Sequence, residues 1–136
     1  MKKNNFYILL LVSLLIFTSC STKDCSKIVY KDGVSTLNGR LYTGDCESWH
    51  PNGQLKSSQH YVDGKDDGNW VFYFIDGTVQ TKAVFKKGIR VGKWEYYYEN
   101  GGLWKESYYD DGEKSGTWKT FLEDGLLIEE DVFKKN

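Results

Sequence analysis

The chain has 136 residues, length enough for one domain at most. Its 18 Lys plus Arg nearly balance 19 Asp plus Glu, which excludes the strongly basic footprint of a nucleic-acid binder. Aromatics make up 16% of the residues and 14 Gly stand against 1 Pro, a mix that favours strands joined by glycine turns over helices.

Residues 1–19 read as a leader rather than as part of a fold. Lys2 and Lys3 precede an apolar run of 12 residues over 6–17, short for a membrane span but right for the centre of a secretory signal. The run ends in Phe17-Thr18-Ser19-Cys20. This stretch resembles a bacterial lipobox, with Phe17 where Leu is usual. The resemblance implies cleavage before Cys20, a lipid on Cys20, and a chain held at a cell-envelope membrane by its N-terminal lipid. An ordinary signal peptide cut near Ser19, or an uncleaved anchor, fits the same pattern. Ser21 resembles the sorting pattern for the outer membrane, where the host has two. Losing Lys2 and Lys3 moves the net charge from −1 to −3, so the rest of the chain has no electrostatic reason to seek anionic lipid or nucleic acid.

Residues 20–43 read as anchor, linker and a degenerate cap, in which "YKDG" (30–33) and "LNGRLYTG" (37–44) echo the glycine-turn pattern of residues 44–136. Cys25 and Cys46 form a candidate disulfide, since an exported chain lives where such bonds persist. Bridging them closes a loop of roughly 20 residues, worth on the order of 3 kcal/mol in the chain-entropy model. The alternative is two unrelated thiols.

Over 44–136 the chain repeats. Gly44, Gly68, Gly92 and Gly116 are spaced by 24 residues without insertion. Two residues after each stands Cys46, Trp70, Trp94 or Trp118, and five after stands Trp49, Tyr73, Tyr97 or Phe121. Then come the pairs Asn52-Gly53, Asp76-Gly77, Asn100-Gly101 and Asp124-Gly125, followed by Leu55, Val79, Leu103 and Leu127, and by Tyr61, Phe85, Tyr109 and Phe133. This many agreeing columns mark four units of a true repeat. Asn-Gly and Asp-Gly between aromatic and β-branched flanks predict one β-hairpin per unit. The expected strands are 46–50 and 55–62, 70–75 and 79–85, 93–98 and 103–109, and 117–122 and 126–133, with no helix after Cys20. The predicted fold is all-β, a single-layer antiparallel meander of stacked hairpins.

A two-residue type I′ loop at Asn100-Gly101 pairs Tyr98 with Leu103 and places Trp94, Tyr96, Tyr98, Leu103 and Tyr109 on one face. In the preceding unit the same columns are Trp70, Phe72, Phe74, Val79 and Phe85. That face is taken as the buried one. A three-residue loop shifts the register by one and exchanges the faces.

The unit G-x-W-x-x-Y-x-x-(N/D)-G-x-(L/V), its 24-residue period and the Y-x-x-G-x-x-x-G connector resemble bacterial MORN-type repeats, in particular the MORN-variant proteins described as antitoxin-like. The matching positions are Gly68, Trp70, Tyr73, Gly77 and Val79 with their equivalents in the next two units. The unit of Gly44 departs from the pattern at Cys46. The resemblance implies an elongated meander of stacked hairpins and no particular reaction.

Chemistry is sparse. His50 and His60 near Cys46 match no ligand spacing, so no metal is expected. "DGKDDG" (63–68) lacks calcium-loop ligands, with Lys65 at one ligand position and Phe74 in place of the closing Glu. No nucleophile elbow or phosphate loop occurs, and neither an enzymatic activity nor a cofactor is expected. The remaining candidate is aromatic: Tyr73, Tyr97, Trp104 and Tyr108 are expected on the less buried face, and Trp104 stands where the other units carry Lys56, Gln80 and Ile128. An exposed aromatic group of this kind marks a partner surface. The expected function is a lipid-anchored envelope module that binds a protein partner or acts as a scaffold. The alternative is an antitoxin or immunity-like protein that neutralises a toxin.

Overall fold

The computed structural model describes residues 22–134. The apolar run 6–17, the expected cleavage point and Cys20 lie outside the described residues. Among those described, no helix is long and apolar enough to cross a membrane. In chain order the strands are β1 (Lys23–Asp24), β2 (Ile28–Lys31), β3 (Val34–Leu37), β4 (Arg40–Leu41), β5 (Gly44–Trp49), β6 (Leu55–Val62), β7 (Lys65–Asp66), β8 (Gly68–Tyr73), β9 (Val79–Lys86), β10 (Ile89–Arg90), β11 (Gly92–Tyr97), β12 (Leu103–Asp110), β13 (Glu113–Phe121) and β14 (Leu127–Phe133). Strands β2-β3-β4 form a small cap sheet. The others form one sheet in the order β1-β5-β6-β8-β9-β11-β12-β13-β14, with β7 and β10 folded back onto β6 and β9. Its pairings are antiparallel, except that β1 runs parallel to β5. The predicted all-β meander of hairpins is therefore the fold, with one hairpin to each 24-residue unit.

The turns differ from the expected type, for a local reason. Within each unit the loop has three residues. The Tyr98 N–H donates to the Gly102 carbonyl at 2.9 Å, and the Gly101 N–H donates to the Tyr98 carbonyl at 3.0 Å. Gly101 takes φ 83°, in the left-handed region that glycine enters without steric cost. The Asn100 side chain accepts from the Gly102 N–H at 2.8 Å, and Asn52, Asp76 and Asp124 do the same in their own units. This side-chain acceptor two residues back explains why the column holds only Asn or Asp. The type I′ pairs lie instead in the connectors between units, at Asp63-Gly64, Lys87-Gly88 and Asp111-Gly112, where both residues have positive φ.

A three-residue loop alone would exchange the two faces. It does not, because each hairpin carries a bulge beside the loop. Tyr97 faces Leu103 and Tyr96 faces Lys105, so Trp104 is an extra residue on β12. Below the bulge Trp94 faces Ser107 and Gly92 faces Tyr109, the register a two-residue loop predicts. The other units repeat the device, with Lys56, Gln80 and Ile128 as the extra residues. Only the residues next to the loop change sides. Leu103 and Val79, expected with the tryptophan stripe, pair with Tyr97 and Tyr73 on the opposite face.

The core is a ladder of rings. Tyr42, Tyr61, Trp70, Phe85, Trp94, Tyr109, Trp118 and Phe133 succeed one another at centroid separations of 5.8, 5.2, 4.9, 5.0, 5.4, 5.2 and 5.1 Å. The rings meet tilted or edge-on, the arrangement that their quadrupoles favour, worth about 0.5–1.5 kcal/mol per pair beyond the area buried. Each tryptophan also fastens its unit to the one before. The indoles of Trp70, Trp94 and Trp118 donate to the carbonyls of His60, Val84 and Tyr108 at 2.9, 3.2 and 2.9 Å. The small residues Ala83 and Ser107 sit opposite Trp70 and Trp94 and leave room for the rings.

The first unit has no tryptophan at this place. Cys46 stands there, fully buried and joined to Cys25 in a disulfide with Cα atoms 5.1 Å apart. The bond ties β1 onto the middle of β5, where Lys23 and Asp24 pair with Cys46 and Glu47. The cap is attached by Ser35 N–H to the Gly64 carbonyl at 2.7 Å and by Gly64 N–H to the Tyr42 carbonyl at 2.8 Å.

Candidate functional site

The bulge column holds a different residue in each unit: Lys56, Gln80, Trp104 and Ile128. A bulged residue escapes strict alternation, so its side chain is re-aimed. The Trp104 ring lies 6.1 Å from Tyr96 and 6.2 Å from Tyr98, and the residue is 44% exposed. It therefore stands on the ladder face. This corrects the expected quartet. Tyr73, Tyr97 and Tyr108 stay on the other face, and Trp104 leaves them.

That other face carries polar contacts and ion pairs of its own, beside a cleft of ≈ 340 Å³ lined in part by Val71, Lys82, Lys93 and Glu95. Lys82 Nζ sits 5.3 Å from the centre of the Tyr97 ring. The Tyr108 hydroxyl donates to Glu106 at 3.2 Å. Lys93 bridges Glu95 at 2.8 Å and Glu106 at 2.6 Å. Hydrogen bonds to Glu106 and Glu95 raise the Lys93 ammonium, and the one from Lys93 holds the Glu95 carboxyl below its usual range.

Trp104 opens into a cleft of ≈ 440 Å³, lined also by Phe74, Gln80, Thr81, Tyr96, Tyr97 and Tyr98, with Glu99 and Glu123 at its rim. Burial is the main cause that raises the Tyr96 hydroxyl above its ordinary value, so this ring stays neutral. The cleft has a cause in the turns. At the junction of the first and second units, His50 Nε2 lies 2.9 Å from the Tyr73 carbonyl and the Asn52 amide donates to the Ile75 carbonyl at 2.7 Å. At the junction of the third and fourth, the Tyr98 hydroxyl donates to the Phe121 carbonyl at 2.8 Å and the Asn100 amide to the Glu123 carbonyl at 3.3 Å. The second unit carries Phe74 and Asp76 at these positions. A phenyl ring has no donor. The Asp76 carboxylate only accepts, and does so from the N–H and hydroxyl of its own Thr78 at 2.9 and 2.7 Å. The second and third turns are thus not clasped in this way, and the aromatic cleft lies between them.

Phe74, Tyr96 and Tyr98 were not singled out from sequence as site residues. The legible signal is the alternation of Asn52, Asp76, Asn100 and Asp124, because only an Asn turn donates forward. The histidines are otherwise engaged. His60 Nδ1 lies 2.6 Å from Asp45, and His50 is on the Tyr73 carbonyl. Among the described residues no cluster of three His, Cys, Asp or Glu is placed to hold a metal ion.

Stacked hairpins, with an aromatic cleft between the second and third turns, define a hairpin-repeat protein. The family model for the MORN repeat variant matches residues 42–63 and 90–111. Both matches begin two residues before a unit glycine, Gly44 and Gly92, so they share the phase of the structural repeat. No curated protein matches the chain.

Proposed function

We propose that this protein is a non-enzymatic protein-binding module of the cell envelope, tethered to a membrane by a lipid on Cys20, and that its partner docks in the Trp104 cleft. The observation that carries the reading is Trp104 itself. It is a large apolar side chain left 44% exposed at a position the repeat does not constrain, between two further rings. Tryptophan and tyrosine in a cleft supply the rigid area from which binding hot spots are made. The opposite face, occupied by its own ion pairs, offers less. The stacked units supply a stiff support on which such a cleft keeps its shape.

The test has two parts. A photo-crosslinking amino acid placed at Glu99, on the cleft rim, is expected to capture one protein in intact cells. The same group at Lys119, on the far face, is expected not to capture it, and Trp104→Ala is expected to abolish capture from Glu99. Equal capture from both sites would overturn the cleft as the docking surface. For the tether, a palmitate analogue is expected to label the wild-type chain and not Cys20→Ala. Equal labelling of both would remove the anchor from the proposal.

A further inference from the structure

The repeat has a rule for adding a strand, and β14, the last strand of the described residues, carries the columns that the rule uses. At each junction three things recur. The indole of the incoming strand donates to a carbonyl ten residues earlier, at His60, Val84 and Tyr108. Its ring packs on the next aromatic along, at Tyr61, Phe85 and Tyr109. The residue after the tryptophan faces a fixed column of the preceding strand, and where both are charged the signs are opposite: Lys82 faces Glu95, and Glu106 faces Lys119.

Carried to the last unit, the same columns are Val132, Phe133 and Glu130. Among the described residues β14 has β13 as its one neighbour in the sheet, so its outer row of N–H and C=O groups faces outward. Phe133 meets Trp118 on one side, at 5.1 Å. Val132, Leu127 and Ile128 are 63%, 44% and 54% exposed, too much apolar surface for a finished edge.

We infer that the outer edge of β14 binds an extended segment of another polypeptide, added antiparallel, with an aromatic residue against Phe133 and a basic residue next to it against Glu130. A tryptophan in that segment donates its indole N–H to the Val132 carbonyl. Main-chain pairing supplies affinity, and the aromatic-basic pair supplies register. A second copy of this chain does not fit. Two β14 strands paired antiparallel about Glu130 set Glu129, Glu130 and Asp131 against the same three acids. A head-to-tail contact has to meet β5, where Cys46 and Glu47 are already paired with β1 and Cys46 is bonded to Cys25.

The probe is a fluorescent peptide copying residues 112–122 of the chain's own β13, which has the required Trp-Lys pair, added to the full-length protein in detergent. Binding is expected by anisotropy, with amide shifts in nuclear magnetic resonance centred on 127–133. Replacing the peptide's Trp by Ala is expected to weaken binding at least tenfold. Exchanging its Lys for Glu is expected to weaken binding also, and Glu130→Lys in the protein is expected to restore it. Absence of shifts over 127–133 at millimolar peptide, indifference to the Trp replacement, or self-association of the protein through β14 in sedimentation would each overturn the inference.

Discussion

The indole N–H of Trp94 donates to the carbonyl of Val84, ten residues back and across the boundary between two units, at 3.2 Å. The bond explains why the repeat writes tryptophan and not simply an aromatic. Phenylalanine would fill the same place in the ladder but lose this bond, leaving the carbonyl with the Val91 N–H, 3.0 Å away, as its donor.

Two substitutions separate the contributions of ring and bond. Trp94, 7% exposed, is expected to cost about 3–5 kcal/mol as Trp94→Ala. Trp94→Phe is expected to cost about 0.5–1.5 kcal/mol, the net worth of one hydrogen bond, because the Val84 carbonyl keeps its bond from the Val91 N–H. Trp104→Ala, which removes a half-exposed ring in contact with Tyr96 and Tyr98, is expected to cost only about 1 kcal/mol. Urea unfolding of the three variants checks the order. A Trp104→Ala loss equal to that of Trp94→Ala would make Trp104 a core residue.

Gly101 isolates the backbone term. A Cβ built there meets no atom within 4 Å, while φ is 83°. Gly101→Val is therefore expected to cost about 1–2 kcal/mol through conformation alone. Gly101→Asn is expected to cost less, because asparagine tolerates the left-handed region. Equal thermal melts for the two variants would show that tolerance of the left-handed φ does not set the penalty.

The Cys25–Cys46 bond spans a sequence separation of 21 and replaces the tryptophan clasp of the later units. The double variant Cys25→Ser with Cys46→Ser is expected to lose on the order of 3 kcal/mol. The loss is expected at the cap end. Hydrogen exchange should quicken in β1 to β5 and stay unchanged in β12 to β14.

Asp66 stands in the column where Arg90 and Lys114 lie over ladder rings, and burial raises its carboxyl above the usual range. Because the folded value is raised, the stabilising contribution of the protonated form is complete below the unfolded carboxylate value of about 3.9 and is lost as pH rises through the folded value. Asp66→Asn is expected to raise the melting temperature at pH 7 and to give almost no gain at pH 3. Glu95 has the opposite sign. Lys93 lowers its carboxyl, so its contribution is present above the unfolded Glu value of about 4.3 and fades as pH falls through the folded value. Melts of Asp66→Asn and Glu95→Gln across this range check both signs.

The period, the hairpins and most limits of the hairpin strands to within about two residues were legible in the sequence, because each rests on local chemistry; β13 starts at Glu113, four residues before the expected 117, because it runs on from the Asp111-Gly112 turn. Glycine alone enters left-handed φ freely, Asn or Asp alone accepts from the N–H two residues on, and aromatic columns demand a shared face. The pairing of Trp94 with Ser107 was legible for the same reason of parity. The sequence did not reveal that two departures cancel, an extra residue in the loop and an extra residue at Trp104. A bulge has no composition of its own: Lys, Gln, Trp and Ile all occupy it here. Only the assembled sheet, whose ladder must keep its tryptophans on one side, decides that the second insertion is made and that Trp104 turns toward Tyr96 and Tyr98. The cleft, the clasps between alternate turns and the disulfide depend likewise on distances between units, which tertiary packing sets and no single stretch of sequence contains.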